Sequence, residues 1–142
     1  MNATHRRAHL DEELESKYEI FEALGGGGMG RVLRARHRQL KRFVAIKLLH
    51  QDLKASEAVA RFLREARAAA QIRSVHVAHV MDAGILRSGQ PYIVMEYLQG
   101  QDLAKLVGSR GRLPVEQAVG FTLQALDALA EAHSLQIIHR DV

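Results

Sequence analysis

The stretch Leu24–Ala35, LGGGGMGRVLRA, sets four consecutive glycines and a fifth after one methionine between two runs of alternating apolar and polar residues. Inside an ordered element each glycine loses more chain entropy than alanine would, at about 0.5–1 kcal/mol. So much bare backbone implies that something must approach it closely. On the near side lies YEIFEALG, from Tyr18 to Gly25; on the far side lie GRVLRARH, from Gly30 to His37, and KRFVAIKLL, from Lys41 to Leu49. All three alternate with period two, so the glycines sit at the first turn of an antiparallel three-stranded meander.

A G-x-G-x-x-G spacing (Gly25, Gly27, Gly30) is weak by itself, because many glycine turns match it. A dinucleotide-binding fold places that loop at the start of a helix and an acid about 20 residues later. Here a strand follows, and no acid lies between Glu22 and Asp52. A glycine loop between two strands instead suits a fold-over on a polyphosphate, with N–H groups reaching its oxygens. Alone, it would equally be a plain flexible hairpin turn. It is not alone. Lys47 stands in the apolar run VAIK, where an ammonium is costly to bury without an anion. Three residues after Phe62, on the next helical segment, Glu65 is placed beside the apolar stripe and within reach of such a lysine.

The rest of the chain fits one globular α+β domain, or part of a larger one. Of 142 residues 47% are hydrophobic and 25% charged, with two prolines, which excludes a disordered chain. Twenty Lys and Arg against sixteen Asp and Glu leave a net charge of +4, a mild bias toward phosphate-bearing ligands. The basic run RARHRQLKR at the second turn has no aromatic residue to stack a base and reads as a solvated hairpin, so no nucleic-acid partner is expected. The absence of cysteine excludes disulfides and thiolate metal sites. No apolar run is long enough for a membrane span or a signal core. A cytoplasmic protein is the expectation.

Residues 1–17, basic then acidic, read as a tail or short helix. ASEAVARFLREARAAAQIR reads as a helix with Ser56 as cap and Phe62, Ala66 and Ala69 on one stripe. VAHVMDAGIL and PYIVMEYL add two strands across the turn RSGQ, making five strands and one helix by Leu98. A short helix is expected around Leu103–Val107, its preceding Asp102 being either an N-cap or a ligand contact. A long helix follows, opened by Pro114 and burying the stripe Val119, Leu123, Leu126 and Ala130. LQIIHRDV closes the chain as a short strand.

Taken together, LGGGGMGRV, VAIK, REAR, IVMEYL and IHRDV arrive in the order of five motifs of the protein kinase catalytic domain, and residues 18–142 resemble the bacterial serine/threonine type. That resemblance implies a kinase-like α+β fold. A complete small lobe, a five-stranded antiparallel sheet plus helix C, would span residues 18–98; residues 99–142 would begin the large lobe, after a tail at 1–17. It implies an ATP site formed by Leu24, Gly25, Gly26, Gly27, Gly28, Met29, Gly30, Val32, Ala45, Lys47, Met95, Glu96 and Leu98. Within it Lys47 would hold the α- and β-phosphates, oriented by Glu65, and Met95 would gate the rear pocket. Asp141 would be the aspartate that orients the substrate hydroxyl, beside His139 and Arg140. The Mg²⁺ ligands of the family come later than Val142, so this chain alone is expected to be inactive. The partners implied are ATP, a protein bearing Ser or Thr, and a second kinase domain. A nucleotide-binding or scaffolding pseudokinase is the alternative. SVHVAHV departs from the usual turn after helix C, and Leu33 replaces an aromatic residue common after the loop valine.

Overall fold

The sheet grows from its third strand. In β3 (Phe43–Leu49) Val44, Ala45, Ile46, Leu48 and Leu49 are all buried. Such a run on both faces belongs in the middle of a sheet. The structure, a computed structural model, describes residues 12–28, 30–50 and 56–138. It contains one antiparallel sheet of five strands: β1 (Tyr18–Gly27), β2 (Gly30–His37), β3, β4 (Val80–Ile85) and β5 (Pro91–Glu96), in the spatial order β1-β2-β3-β5-β4. The five strands and their order along the chain are those expected from the alternation.

Alternation in β3 divides the core. Val44, Ile46 and Leu48 pack with Tyr18, Leu33, Ala35, Leu86, Tyr92 and Val94, under Leu14 of α1 (Glu12–Lys17). On the other face, α2 (Ser56–Ala69) contributes Val59, Phe62, Leu63 and Ala66, an i, i+3, i+4, i+7 stripe, to a cluster with Leu49, Ile93, Val80 and Met95. The side chain of the buried Gln90 donates to the Leu49 carbonyl oxygen at 2.6 Å, tying the β4–β5 turn to the end of β3.

The chain divides into two compact units. The first holds the residues up to Ala66 and Val80–Tyr97; the second holds Arg67–His79 and the residues from Leu98 on. Arg67–His79, from the last turn of α2 to the start of β4, thus group with the second unit. Within that unit the carboxylate of Glu131 accepts from the backbone N–H of Arg73 at 2.7 Å and of Ser74 at 2.6 Å. In this unit α3 (Leu103–Arg110) and α4 (Val115–Ser134) follow one another.

Three expectations fail here. Pro114 is the N-cap of α4 and not its first residue, since its ψ of 144° is extended. The stripe Val119, Leu123 and Leu126 is not buried: these side chains are 50–60% exposed. Gln117, Gly120, Phe121, Ala125, Ala128 and Leu129 are half-buried instead, and Ala132 is buried. The expected closing strand is likewise absent from Leu135–Ile138. The Ile137 N–H donates to the Ala132 carbonyl and the Gln136 N–H to the His133 carbonyl, both at 2.9 Å, in the pattern of a Schellman cap. Those N–H groups are spent on the helix end, and His139–Val142 lie outside the described residues.

That cap holds Gln136 at a φ of 60°, the left-handed region where a side chain crowds the backbone. Gln136→Gly is expected to raise stability by about 0.5–1 kcal/mol, and a thermal melt against wild type checks it. The exposed Val115–Leu126 stripe is expected to drive association of the isolated chain. Light scattering should then show a mass that rises with concentration; a constant monomer mass would refute it.

Candidate nucleotide site

Antiparallel register carries the site across the sheet. Gly25 is opposite Val32, Val32 opposite Lys47, and Lys47 opposite Ile93. Facing residues in such pairs share one side of the sheet. One step along, the row reads Arg34, Ala45, Met95 and Val80, again on that side. The structure therefore brings Val32, Ala45, Lys47 and Met95 onto one face, the face that α2 covers further along.

Beyond α2 that face opens into a pocket of about 520 Å³, lined by Leu24, Gly25, Gly26, Gly27, Gly28, Gly30, Val32 and Lys47. The size lies within the range of about 300–1,000 Å³ usual for small-molecule sites. A Cβ built on Gly25, Gly27 or Gly28 meets nothing within 4 Å, so these three leave open space above the lysine. Gly30 differs. A Cβ there would overlap the carbonyl oxygen of Leu48, so Gly30 lets β2 lie against β3 beside Lys47. Of the five glycines, one has a packing reason in the protein itself and three have none.

Lys47 is half-buried. Its Nζ stands 5.9 Å from the centre of the Phe62 ring, a cation–π distance, and no ion pair joins it to Glu65. The expected Lys47–Glu65 pair is not made in this structure. At 100° per residue Glu65 is turned away from Ala66, which with Phe62 occupies the sheet-facing side, and Glu65 is exposed. Phe62 is the contact that sequence reasoning missed; its place on the apolar stripe was the available signal.

Of the remaining expected residues, Ala45 is buried, Met95 packs against the α2 cluster, Glu96 ends β5 and Leu98 is 64% exposed. None of these four lines the pocket. Met29 and Asp141, with His139 and Arg140, lie outside the described residues. Asp102 resolves to the N-cap: its Oδ1 accepts from the Lys105 N–H at 2.7 Å and Oδ2 lies 3.4 Å from Nζ of Lys105. Those bonds, the backbone one foremost, hold its carboxyl below the ordinary aspartate range.

Residues 18–142 match the protein kinase domain. This chain belongs to the protein kinase family. Similar proteins include a probable serine/threonine-protein kinase of Clostridium perfringens, 41% identical over 91% of this chain and 19% of the relative. Serine/threonine-protein kinase PknB of Mycobacterium leprae is 40% identical over 91% of this chain and 21% of its own length. The crystal structure of the kinase domain of PknI from Mycobacterium tuberculosis superposes with a TM-score of 0.75 at 31% identity, over 89% of this chain and 51% of that one. The chain thus spans about a fifth of these curated relatives and about half of the solved domain. Its sheet and helices are those of a bacterial serine/threonine kinase small lobe with the helices that follow it.

The glycines can be separated experimentally. Gly30→Ala is expected to cost about 1–3 kcal/mol of stability through overpacking, whereas Gly27→Ala should leave the melting temperature unchanged or slightly raised. Equal destabilisation by both, in thermal melts, would show that the loop is packed throughout.

Proposed function

We propose that this chain is the nucleotide-gripping part of an ATP-dependent serine/threonine protein kinase. The observation that carries the reading is the convergence of Lys47 and the open backbone of Gly25, Gly27 and Gly28 on one pocket. Backbone N–H groups with no side chains around them suit phosphate oxygens, and a half-buried ammonium beside them supplies the charge. Val32, which lines the pocket, and Ala45, one row along the same face, are assigned to the adenine ring, and the backbone of Glu96 and Leu98 to its polar edge. Met95 gates the rear of that space. Glu65 would orient Lys47 once α2 turns toward it, and Asp141 would take the proton of the acceptor hydroxyl.

ATP, when bound, supplies the γ-phosphoryl group that moves to a Ser or Thr hydroxyl of a protein partner. Among the described residues no three His, Asp or Glu side chains gather to hold a metal ion. No helix of the described residues is long and apolar enough to cross a membrane. The reading places the activity in the cytoplasm, where ATP is available, and includes pairing with a second kinase domain. The unmade Lys47–Glu65 pair favours a second reading, a nucleotide-binding scaffold that does not catalyse.

Titration with ATP, followed by amide NMR shifts, is expected to move Gly25–Gly28, Gly30, Lys47 and Glu96–Leu98, with binding that Lys47→Met weakens at least tenfold. Shifts confined to other residues would overturn the assignment. The 142-residue chain alone is expected to transfer no phosphate to a generic basic protein, because in-line positioning errors of about 1 Å can cost ~10²-fold and the metal clamp is not among the residues described. Transfer above background, abolished by both Lys47→Met and Asp141→Asn, would show that the chain catalyses alone and would remove the scaffold reading.

A further inference from the structure

We propose that His50 is a positioning residue for the phosphate-facing backbone of the glycine hairpin, acting through the carbonyl of Gly27. This rests on the reading of that hairpin as a nucleotide loop. His50 follows β3 directly, three residues beyond Lys47, and its Nε2 lies 2.9 Å from the Gly27 carbonyl oxygen. A carbonyl oxygen only accepts, so Nε2 carries the proton and donates.

The register explains why the ring arrives there. Gly27 is opposite Gly30, and Gly30 is opposite Leu49, so the end of β3 runs alongside the tip of the β1–β2 hairpin. Gly30, by admitting the Leu48 carbonyl where a Cβ would stand, sets that approach. His50 is then the first residue past the ladder with a side chain long enough to reach back.

The consequence lies in the geometry of one peptide unit. A trans peptide is planar, and its C=O and N–H point in opposite directions. No described peptide bond is cis. Fixing the Gly27 oxygen on His50 therefore fixes the Gly28 N–H on the opposite side of the same plane. Gly27 is held to Gly30 by the end of the ladder, but no side chain constrains the Gly27–Gly28 unit otherwise: a Cβ on either residue would meet nothing within 4 Å. Both glycines line the pocket. An N–H already held in one direction need not be ordered when an anion arrives, so the anion binds with less entropy lost. The ligand class that gains is a phosphate ester, and the bare nucleoside gains nothing.

The experiment compares ATP with adenosine on the purified chain, by calorimetry and by the amide shift of Gly28, for wild type, His50→Ala and His50→Gln. Glutamine places an amide donor at about the reach of Nε2. His50→Ala is expected to weaken ATP roughly three- to tenfold, the effect of one exposed hydrogen bond, while adenosine is unchanged. His50→Gln should recover most of that loss. Unchanged ATP affinity in His50→Ala overturns the role of His50 and leaves the nucleotide reading standing. Equal weakening of ATP and adenosine also overturns it, since His50 would then only support the fold. A wild-type chain that binds ATP no better than adenosine overturns the reading of the loop itself, and the role of His50 with it.

Discussion

A single ammonium inserted into a strand buried on both faces is the constraint on which the rest depends. β3 is hydrogen-bonded along both edges, to β2 and to β5, and every residue from Val44 to Leu49 other than Lys47 is buried. Lysine at that place is expensive to desolvate and adds nothing to the aliphatic core. The protein lowers the cost in two ways. Lys47 faces the side where the sheet extends past α2 into the pocket, so it stays half solvated, and the Phe62 ring offers its π face to the charge. Neither device neutralises the charge. An anion in the pocket would.

The glycine hairpin is the other half of the same arrangement, and its glycines are not equivalent. Gly30 is required by the approach of Leu48, a backbone contact inside the sheet, whatever binds nearby. Gly25, Gly27 and Gly28 are required by nothing the protein itself supplies. Glycines with and without a packing reason are thus interleaved in six residues, and Gly25 shares one row across the sheet face with Val32, Lys47 and Ile93. Overpacking at Gly30 would push on the strand that carries Lys47, so the two roles are coupled mechanically through β3.

Most of the sheet was legible in the sequence because strand signals are local: alternation in β1, β2 and β3, turn residues between β4 and β5, and a glycine hairpin each act within a few residues. The convergence of Gly25, Val32 and Lys47 was legible for the same reason, since a short hairpin and a short turn leave little choice of register. What the sequence did not show depended on direction. The period of α4 was readable, but not which stripe is covered; the tether from Glu131 to the Arg73 and Ser74 amides, some 57 residues away, accompanies the face of Gly120, Phe121, Ala128 and Ala132 being the more buried one. Leu135–Ile138 carries the apolar residues of a strand, yet the Gln136 and Ile137 N–H groups close the helix. The Lys47–Glu65 pair failed similarly: spacing placed Glu65 next to the apolar stripe but could not fix the rotation of α2, which gives Phe62 to the lysine.

Two cations on the same face of the sheet show how differently the protein treats a charge it keeps and one it leaves available. Arg34, one row from Lys47, donates to Glu22 at 2.9 Å, and its guanidinium carbon lies 4.3 Å from the ring centre of Phe43, 5.3 Å from Tyr97 and 5.6 Å from Phe21. That one side chain ties β1, β2, β3 and the segment after β5 together, with a carboxylate partner and three aromatic faces. A planar guanidinium suits this task, since it stacks and donates at once. Lys47 has the opposite character, a compact point charge with one ring beside it and an open pocket before it. The Glu22 carboxylate could not serve both, and β1 bends between Ile20 and Gly25 through two register shifts that separate the arginine cluster from the glycine loop. The sheet thus gives one cation a carboxylate and three aromatic rings, and leaves the other one row away with a single ring beside it and the pocket before it.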